Sequence, residues 1–78
     1  MEGELRLNRL RWLCRRGMKE LDVLLERFLV RQANALRDGR WPELEALLDT
    51  EDDCLWDWLQ GRAAPPKDWC ELIDVIRR

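Results

Sequence analysis

The most regular run of apolar side chains lies in the first half of the chain, where leucine and phenylalanine recur every three or four residues. The run comprises Leu21, Leu24, Leu25, Phe28, Leu29 and Leu36, with Gln32 as its one polar gap. Such spacing places the side chains on one face of an α-helix, which turns once in about 3.6 residues. The pattern predicts a central helix over residues 18–36, ended by a turn at Asp38-Gly39.

A shorter apolar stripe precedes the central helix. The helix predicted over residues 9–16 has one apolar face, formed by Leu10, Leu13 and Cys14. Asn8 is its expected N-cap, since the side chain can accept a hydrogen bond from a free backbone N–H. Residues 1–7 are largely charged and are expected to form a leader that can be disordered.

Two more helices are predicted after the turn. The first starts at Trp41-Pro42-Glu43, because proline is favoured in the first turn of a helix, and closes at Asp49-Thr50. The next has Asp52 or Asp53 as its cap and ends at Gln60-Gly61. Their expected buried residues are Leu44, Leu47 and Leu48 in the first, and Leu55, Trp56 and Leu59 in the second.

The last predicted helix covers residues 67–76. It follows an extended connector, Ala63-Ala64-Pro65-Pro66, since residues before proline avoid helical dihedral angles. Its apolar face is formed by Trp69, Leu72, Ile73 and Ile76. No segment shows the alternation of a strand, and the chain has no internal repeat. The sequence thus predicts an all-α fold, a small five-helix bundle, with residues 1–78 as a single domain.

Composition and charge agree with a small folded domain. With 78 residues, 46% hydrophobic and 38% charged, the chain is typical of a folded protein and is too short for a deep substrate pocket. Residues 1–40 carry a net charge of +4 and residues 41–78 a net charge of −6, a dipole expected to steer a partner. The chain shows no apolar run typical of a signal peptide or a membrane span, so it is expected to be cytoplasmic, without membrane insertion.

Residue types used in catalysis are scarce. The chain has no histidine, no phosphate-binding glycine motif and no nucleophile elbow, so it is not expected to be an enzyme and no catalytic residue is assigned. Cys14 lies among arginines that could lower the pKa of its thiol, but it also falls on an apolar face. Cys14, Cys54 and Cys70 lack a CxxC pair and are expected to be packed, reduced thiols without a metal site.

Charged and aromatic clusters allow more than one interpretation. Glu51-Asp52-Asp53 lacks the spacing of a calcium loop and is expected to cap a helix. Of the five tryptophans, Trp12 and Trp58 fit their stripes least, and one of them is a candidate interface anchor. A basic run is typical of a nucleic-acid footprint, but the net charge of −2 favours a partner-steering face. The run comprises Arg6, Arg9, Arg11, Arg15, Arg16 and Lys19.

The segment Arg16-Gly17-Met18-Lys19-Glu20 joins the first two predicted helices. Gly17 suits either the end of the first helix or the N-cap of the second. Arg16 and Glu20 can form a surface ion pair worth under about 1 kcal/mol. In a functional interpretation, Gly17 lets a partner backbone approach closely, while Arg16 and Glu20 flank the contact with opposite charges.

These residues resemble a known family. Arg16-Gly17-x-x-Glu20 matches the RGxxE motif of the bacterial FAD assembly factor of succinate dehydrogenase, the SdhE or YgfY-like family. The resemblance covers about residues 7–76, including Arg9-Leu10-Arg11-Trp12, Glu20-Leu21-Asp22 and Asp57-Trp58-Leu59. The fold of the family is a small five-helix bundle, which agrees with the helices predicted from the apolar pattern.

The resemblance implies an assembly factor that binds the flavoprotein subunit of succinate dehydrogenase, and of the related fumarate reductase, and promotes covalent FAD attachment. FAD is then the cofactor of the partner, and no stably bound cofactor is expected on this chain. The implied partner-binding residues are Arg16, Gly17 and Glu20, with Arg15, Lys19 and Trp12 as further candidates. The alternative is an antitoxin-like inhibitory protein of a toxin–antitoxin pair, and nucleic acid is not an expected partner.

Overall fold

The computed structural model describes residues 2–78, which form α-helices and their connections without a β-strand. The helices are α1 (Glu2–Leu13), α2 (Lys19–Arg31), α3 (Ala33–Arg37), α4 (Leu44–Leu48), α5 (Asp52–Gln60) and α6 (Cys70–Arg77), with a 3₁₀ turn at Lys67–Trp69 before α6. The predicted all-α class is therefore confirmed. The five predicted helices become six because the central one is divided. No helix within the described residues has the length and apolar character needed to cross a membrane.

All six helices contribute side chains to one apolar core. α1 packs against α2, α3 and α4, and α6 packs on α2 and α5. Phe28 of α2 is fully buried and faces the indole of Trp41, with ring centroids 6.3 Å apart. The other fully buried side chains include Leu10, Leu21, Leu25, Leu36, Leu44, Leu47, Leu55 and Leu72. α2 is thus the central helix, as its apolar stripe predicts.

α1 begins earlier than the apolar pattern predicts. The helix starts at Glu2, whereas the predicted start follows Asn8. Asn8 lies in the middle of α1, where its side-chain oxygen accepts a hydrogen bond from Arg11 Nη1 at 2.8 Å. The leader predicted over residues 1–7 is therefore helical from residue 2, and Met1 lies outside the described residues.

Contacts from distant parts of the chain explain this early start. Gly3 lies so close to α3 that a Cβ atom there would be 2.6 Å from the carbonyl oxygen of Arg37. Leu7 is fully buried, whereas Leu13, predicted on the apolar face, is 36% exposed. The first turns of α1 are thus held by tertiary packing, which a local apolar period does not show.

The predicted central helix is broken at Gln32, the polar gap in its apolar stripe. Gln32 has φ −105° and ψ 13°, and α3 continues from Ala33 after this bend. The side-chain oxygen of Gln32 accepts a hydrogen bond from the indole N–H of Trp41 at 3.1 Å. The amide of Gln32 thus provides a hydrogen-bond acceptor for the indole N–H of Trp41, whose ring is otherwise buried in the core.

α4 and α6, in contrast to α1, each start later in the chain than predicted. α4 begins at Leu44, because Pro42 and Glu43 form a turn instead of a first helical turn. The segment before α6 is a 3₁₀ turn in which the backbone N–H of Trp69 donates to the carbonyl of Pro66 at 2.9 Å. The apolar faces of both helices are buried as predicted, apart from Trp69, which is half-buried.

α5 ends at Gln60 as predicted, and Gly61 terminates it with a left-handed φ of 77°. Its N-cap is Glu51, so neither Asp52 nor Asp53 occupies the predicted capping position. Both aspartates lie inside the first turn of α5, where a carboxylate favours the positive end of the helix dipole.

Candidate functional site

The turn between α1 and α2, residues 14–18, is called the junction here. α1 ends one residue before Cys14, whose backbone N–H still donates to the carbonyl of Leu10 at 2.9 Å. Gly17 has a φ of +88°, a left-handed value that glycine adopts without steric strain. Met18 is the N-cap of α2 in an extended conformation. Gly17 is therefore the turn residue itself, rather than the N-cap of α2 or the first residue after α1.

Arg16 turns its side chain into the protein, where only 14% of it remains exposed. Nε donates to Asp52 Oδ1 at 2.6 Å. Nη1 donates to the carbonyls of Leu13 and Leu48 at 2.9 and 2.6 Å, and Nη2 donates to that of Thr50 at 2.7 Å. This set of contacts, the Arg16 clamp, joins the C-terminal ends of α1 and α4 to the first turn of α5.

Lys19 and Glu20, in the first turn of α2, point outward. Both are exposed, and neither forms an ion pair with another described residue. The predicted Arg16–Glu20 ion pair does not form, because Asp52 takes the guanidinium. A Cβ atom added to Gly17 would meet no heavy atom within 4 Å. The backbone of Gly17 and the two charges that follow it are therefore accessible to a partner.

Trp12 is 73% exposed, the largest exposed fraction among the large apolar side chains of residues 2–78. Its ring lies 5.4 Å from the guanidinium carbon of Arg15, a cation–π contact beside the junction. Trp58 is half-buried, with its ring centroid 5.9 Å from that of Trp69, so Trp12 is the exposed member of the two anchor candidates. The junction surface is defined as Trp12, Arg15, Gly17, Lys19 and Glu20.

A groove of about 690 Å³ lies beside the junction, between α1 and α2. Arg11 of α1 and Arg15 of the junction line one side, and Asp22 and Glu26 of α2 line the other. The other lining residues are Cys14, Gly17, Leu29, Val30 and Ala33. The groove therefore has opposite charges on its two sides and apolar side chains between them.

Cys14 does not carry an activated thiol. It is 5% exposed, and burial raises its pKa to about 12 despite the nearby Arg16 guanidinium. The thiol stays protonated at neutral pH and lacks the nucleophilic thiolate form. Cys54 and Cys70 are exposed, so the prediction of three packed thiols is wrong for these two. Among the described residues, no three side chains of histidine, cysteine, aspartate or glutamate are grouped to hold a metal ion.

Arg6, in α1, forms a second clamp. Nε and Nη2 donate to the two carboxylate oxygens of Glu45 at 2.9 and 3.0 Å. Nη1 donates to the carbonyls of Leu36 and Arg40 at 2.7 and 2.8 Å, and Nη2 also donates to that of Trp41 at 2.7 Å. Two of the six basic residues in the run near the N-terminus, Arg6 and Arg16, are therefore held by several backbone and carboxylate acceptors within the protein.

Asp22 is a site residue whose role the sequence pattern does not indicate. Its Oδ1 accepts the backbone N–H of Arg16 at 2.8 Å, and its Oδ2 accepts that of Gly17 at 3.2 Å. The available signal is its place in the first turn of α2, where carboxylates are favoured by the helix dipole. The hydrogen bonds themselves depend on the path of the turn, which only the structure shows.

Comparison with known proteins gives one family. The profile of the family described as "Flavinator of succinate dehydrogenase" matches residues 8–78. Three similar proteins are each named FAD assembly factor SdhE. The one from Coxiella burnetii (strain RSA 493 / Nine Mile phase I) is 40% identical over 78 residues, covering 100% of this chain and 93% of the relative.

The relative from Legionella pneumophila (strain Paris) is 39% identical over 70 residues, covering 90% of this chain and 89% of the relative. The relative from Xylella fastidiosa (strain 9a5c) is 43% identical over 78 residues, covering 99% of this chain and 80% of the relative. No solved structure gives a significant match to the chain.

Proposed function

The chain belongs to the family of succinate dehydrogenase flavinators, and from that premise we propose that it is an assembly factor for flavinylation of succinate dehydrogenase. In this role it binds the flavoprotein subunit and promotes covalent attachment of FAD to that subunit. The observation that carries the proposal is the family match over residues 8–78, which contains the whole junction. The antitoxin alternative has no support, since the three relatives described above are named FAD assembly factors.

We propose that the exposed residues of the motif segment, Gly17, Lys19 and Glu20, make the docking contact. Gly17 offers an open backbone, and Lys19 and Glu20 offer charges without a partner in the ion pairs of the described residues. Trp12, stacked with Arg15, supplies a large apolar side chain of the kind that dominates binding energy at interfaces. The junction surface thus combines an apolar anchor with charges of both signs, which fix the orientation of a partner.

Arg16 is proposed to act on docking indirectly. The sequence interpretation places its side chain in the contact, but all three of its guanidinium nitrogens are bonded within the protein. A partner could reach this guanidinium only by displacing Asp52 and the carbonyls that hold it. The clamp therefore supports the docking role by fixing where Gly17 and the start of α2 lie.

The chemistry of flavinylation is proposed to belong to the partner. The chain has no histidine, and its one buried thiol, that of Cys14, stays protonated at neutral pH. We therefore assign it a non-enzymatic role, in which docking holds the flavoprotein in a conformation where its own residues complete the bond to FAD. FAD is bound by the partner, the complex forms in the cytoplasm, and the flavoprotein of fumarate reductase is a second partner of the same kind.

In-gel flavin fluorescence of the flavoprotein subunit tests this function. The subunit is produced with and without this chain in a host that lacks an assembly factor of its own. Because covalently bound FAD stays on the denatured subunit, a strong fluorescent band is expected only when the chain is present. Equal fluorescence without the chain would refute the proposal. The flavoprotein of fumarate reductase, tested in parallel, decides whether it is a second partner.

Glu20→Ala separates docking from folding, and Glu71→Ala is its matched control. Each glutamate is the second residue of its helix, α2 or α6, and each is exposed. Loss of the favourable dipole interaction costs about 0.3–1 kcal/mol of stability in either case. We expect Glu20→Ala to weaken binding to the flavoprotein at least tenfold, or by about 1.4 kcal/mol, and Glu71→Ala to leave it unchanged. Equal binding by both variants would exclude Glu20 from the contact.

A further inference from the structure

The carboxylate of Asp22 is bound to the backbone of the junction, although Asp22 itself lies in α2. Its two oxygens accept the successive N–H groups of Arg16 and Gly17. We propose that Asp22 is a positioning residue of the docking site, which sets the path of the junction and hence the placement of the exposed residues around it. The inference rests on the proposed function, because the surface it positions is the one that docks the flavoprotein.

The geometry around Asp22 is that of an occupied anion site. Successive backbone N–H groups that converge in a turn form a concavity that binds anions. At the junction these groups belong to Arg16 and to Gly17, whose φ of +88° is a left-handed value. The anion in the concavity is the protein's own carboxylate. The two N–H groups are therefore taken up internally and are not free to bind a phosphate of FAD or a carboxylate of the partner.

Asp22 also supplies the link between the junction and α2 that an ordinary N-cap would provide. The N-cap residue, Met18, forms no side-chain hydrogen bond to the start of the helix. The connection instead runs backward, from a carboxylate in the first turn to the two residues before Met18. Because Lys19 and Glu20 begin the same helix, this link fixes their positions relative to the open backbone of Gly17.

Arg16 is held from two directions. Its side chain is bound to Asp52 and to three backbone carbonyls, whereas its backbone N–H is bound to Asp22. The side-chain contacts connect the junction to α4 and α5. Among the side-chain hydrogen bonds of the described residues, those of Asp22 join Arg16 and Gly17 to the helix that carries Lys19 and Glu20. Removal of the carboxylate is therefore expected to shift Gly17 relative to these two residues while the Arg16 clamp stays closed.

Two substitutions test the inference, Asp22→Ala and Asp22→Asn. Amide hydrogen exchange is measured at Arg16 and Gly17, and affinity for the flavoprotein is measured by calorimetry. In Asp22→Ala we expect exchange at both amides to accelerate, and affinity to fall, each by at least tenfold, equivalent to about 1.4 kcal/mol. Asn keeps one oxygen acceptor but places an N–H₂ donor at the other position, so Asp22→Asn should give intermediate values.

Two controls separate positioning from general loss of stability. Asp74→Ala removes an exposed carboxylate from α6 and should leave both measurements unchanged. Arg6→Lys loosens the other clamp, away from the junction, and should lower the melting temperature without a matching loss of affinity. If Asp22→Ala binds as tightly as the unsubstituted chain, or if Arg6→Lys loses as much affinity as Asp22→Ala, the positioning role is refuted.

The failure of this inference can be distinguished from failure of the proposed function. If the unsubstituted chain does not bind the flavoprotein at all, the proposed function fails. If it binds and promotes flavinylation but Asp22→Ala and Asp22→Asn do so equally well, only the role of Asp22 fails. Asp22→Asn, which keeps the shape of the side chain, provides this test should Asp22→Ala fail to fold.

Discussion

Arg6 and Arg16 perform the same local task in two parts of the molecule. Each guanidinium uses all three nitrogens to hold one carboxylate from the second half of the chain and three backbone carbonyls. The arginine side chains are 16% and 14% exposed, and the carboxylates of Glu45 and Asp52 are both 34% exposed. Two ion pairs thus join the basic first half of the chain to the acidic second half.

The two clamps differ in what surrounds them. Arg6 lies within α1, and its backbone takes part in an uninterrupted helix. Arg16 lies in a turn, next to the open backbone of Gly17 and to a helix start whose charges are exposed. The comparison supports the proposal that Arg16 acts on docking without touching the partner. In that proposal, the internal contacts of Arg16 fix the exposed surface beside it.

The largest expected effect comes from replacing either arginine by alanine. Each change removes the donor for one carboxylate and three carbonyls, and hydrogen bonds to charged groups contribute about 1.5–3 kcal/mol. We expect Arg6→Ala and Arg16→Ala each to lower the free energy of unfolding by about 2–3 kcal/mol and the melting temperature by about 10–20 °C. Thermal unfolding followed by circular dichroism measures both.

An assay of flavinylation should then distinguish the roles of the two clamps. At a temperature where both variants are folded, Arg6→Ala should still promote covalent FAD attachment to the flavoprotein, whereas Arg16→Ala should not. Arg6→Lys and Arg16→Lys extend the test, because an ammonium group keeps the charge but lacks the planar fork that reaches several acceptors at once. If both alanine variants retain full activity, the Arg16 clamp has no part in docking.

Exposed apolar residues near each arginine provide the next test. Trp12, beside the junction, is 73% exposed, and Leu5, next to Arg6, is 62% exposed. Neither is buried, so alanine at either position should change stability by less than about 0.5 kcal/mol. We expect Trp12→Ala to weaken binding to the flavoprotein by about 2 kcal/mol, as for an interface hot spot, and Leu5→Ala to leave it unchanged. If calorimetry shows that Trp12→Ala and Leu5→Ala lose affinity equally, the contact with the flavoprotein extends along α1 to Leu5.

A smaller effect is expected from the backbone of the junction. Gly17→Ala adds a Cβ atom that meets no neighbour, but the left-handed φ of +88° disfavours any residue with a Cβ. The expected loss of stability is about 1 kcal/mol, because only the backbone conformation is strained. Gly39→Ala, at a φ of +91° and also in open space, is the matched control. Both variants should melt alike, and only Gly17→Ala should slow flavinylation.

The smallest effect concerns the acid sensitivity of the Arg6 clamp. The hydrogen bond from Arg6 holds the pKa of Glu45 below its ordinary value of 4.5. The ionised carboxylate therefore adds stability above about pH 4.5, and this stability is lost as the pH falls through the lowered pKa. Since Glu45 is partly exposed, the contribution is expected to stay below about 1 kcal/mol. Denaturant titrations should show that the stability difference between the unsubstituted chain and Glu45→Gln narrows from neutral pH to acid.

The apolar period predicts those parts of the fold that local spacing determines. The central helix, the order of the elements and the end of α5 at Gln60 follow from repeats of three and four residues and from a glycine stop. The early start of α1 does not, because the close approach of Gly3 to Arg37 and the contacts of Arg6 involve residues thirty or more positions away. The break of the central helix at Gln32 appears in the sequence only as one polar residue in its apolar stripe.

The candidate site is predictable to a similar extent. Exposure of Trp12 follows from its place off the apolar face, and the turn follows from Gly17. The inward direction of Arg16 does not follow, since its main acceptors lie 32 to 36 residues later in the chain. A sequence motif shows which residue types recur together. It does not show that one member bonds to α4 and α5 while another, Glu20, points outward.

The Arg16 clamp determines when the junction loses its conformational entropy. Fixing the backbone of one residue costs about 1–2 kcal/mol, and a mobile turn would lose this entropy on binding a partner. Because the clamp and Asp22 order the turn in the free protein, that loss occurs during folding. Under the proposed docking role, a partner then needs to immobilise only surface side chains such as Trp12, Lys19 and Glu20. A small protein with a modest contact area can thereby bind more tightly than the same residues on a flexible loop.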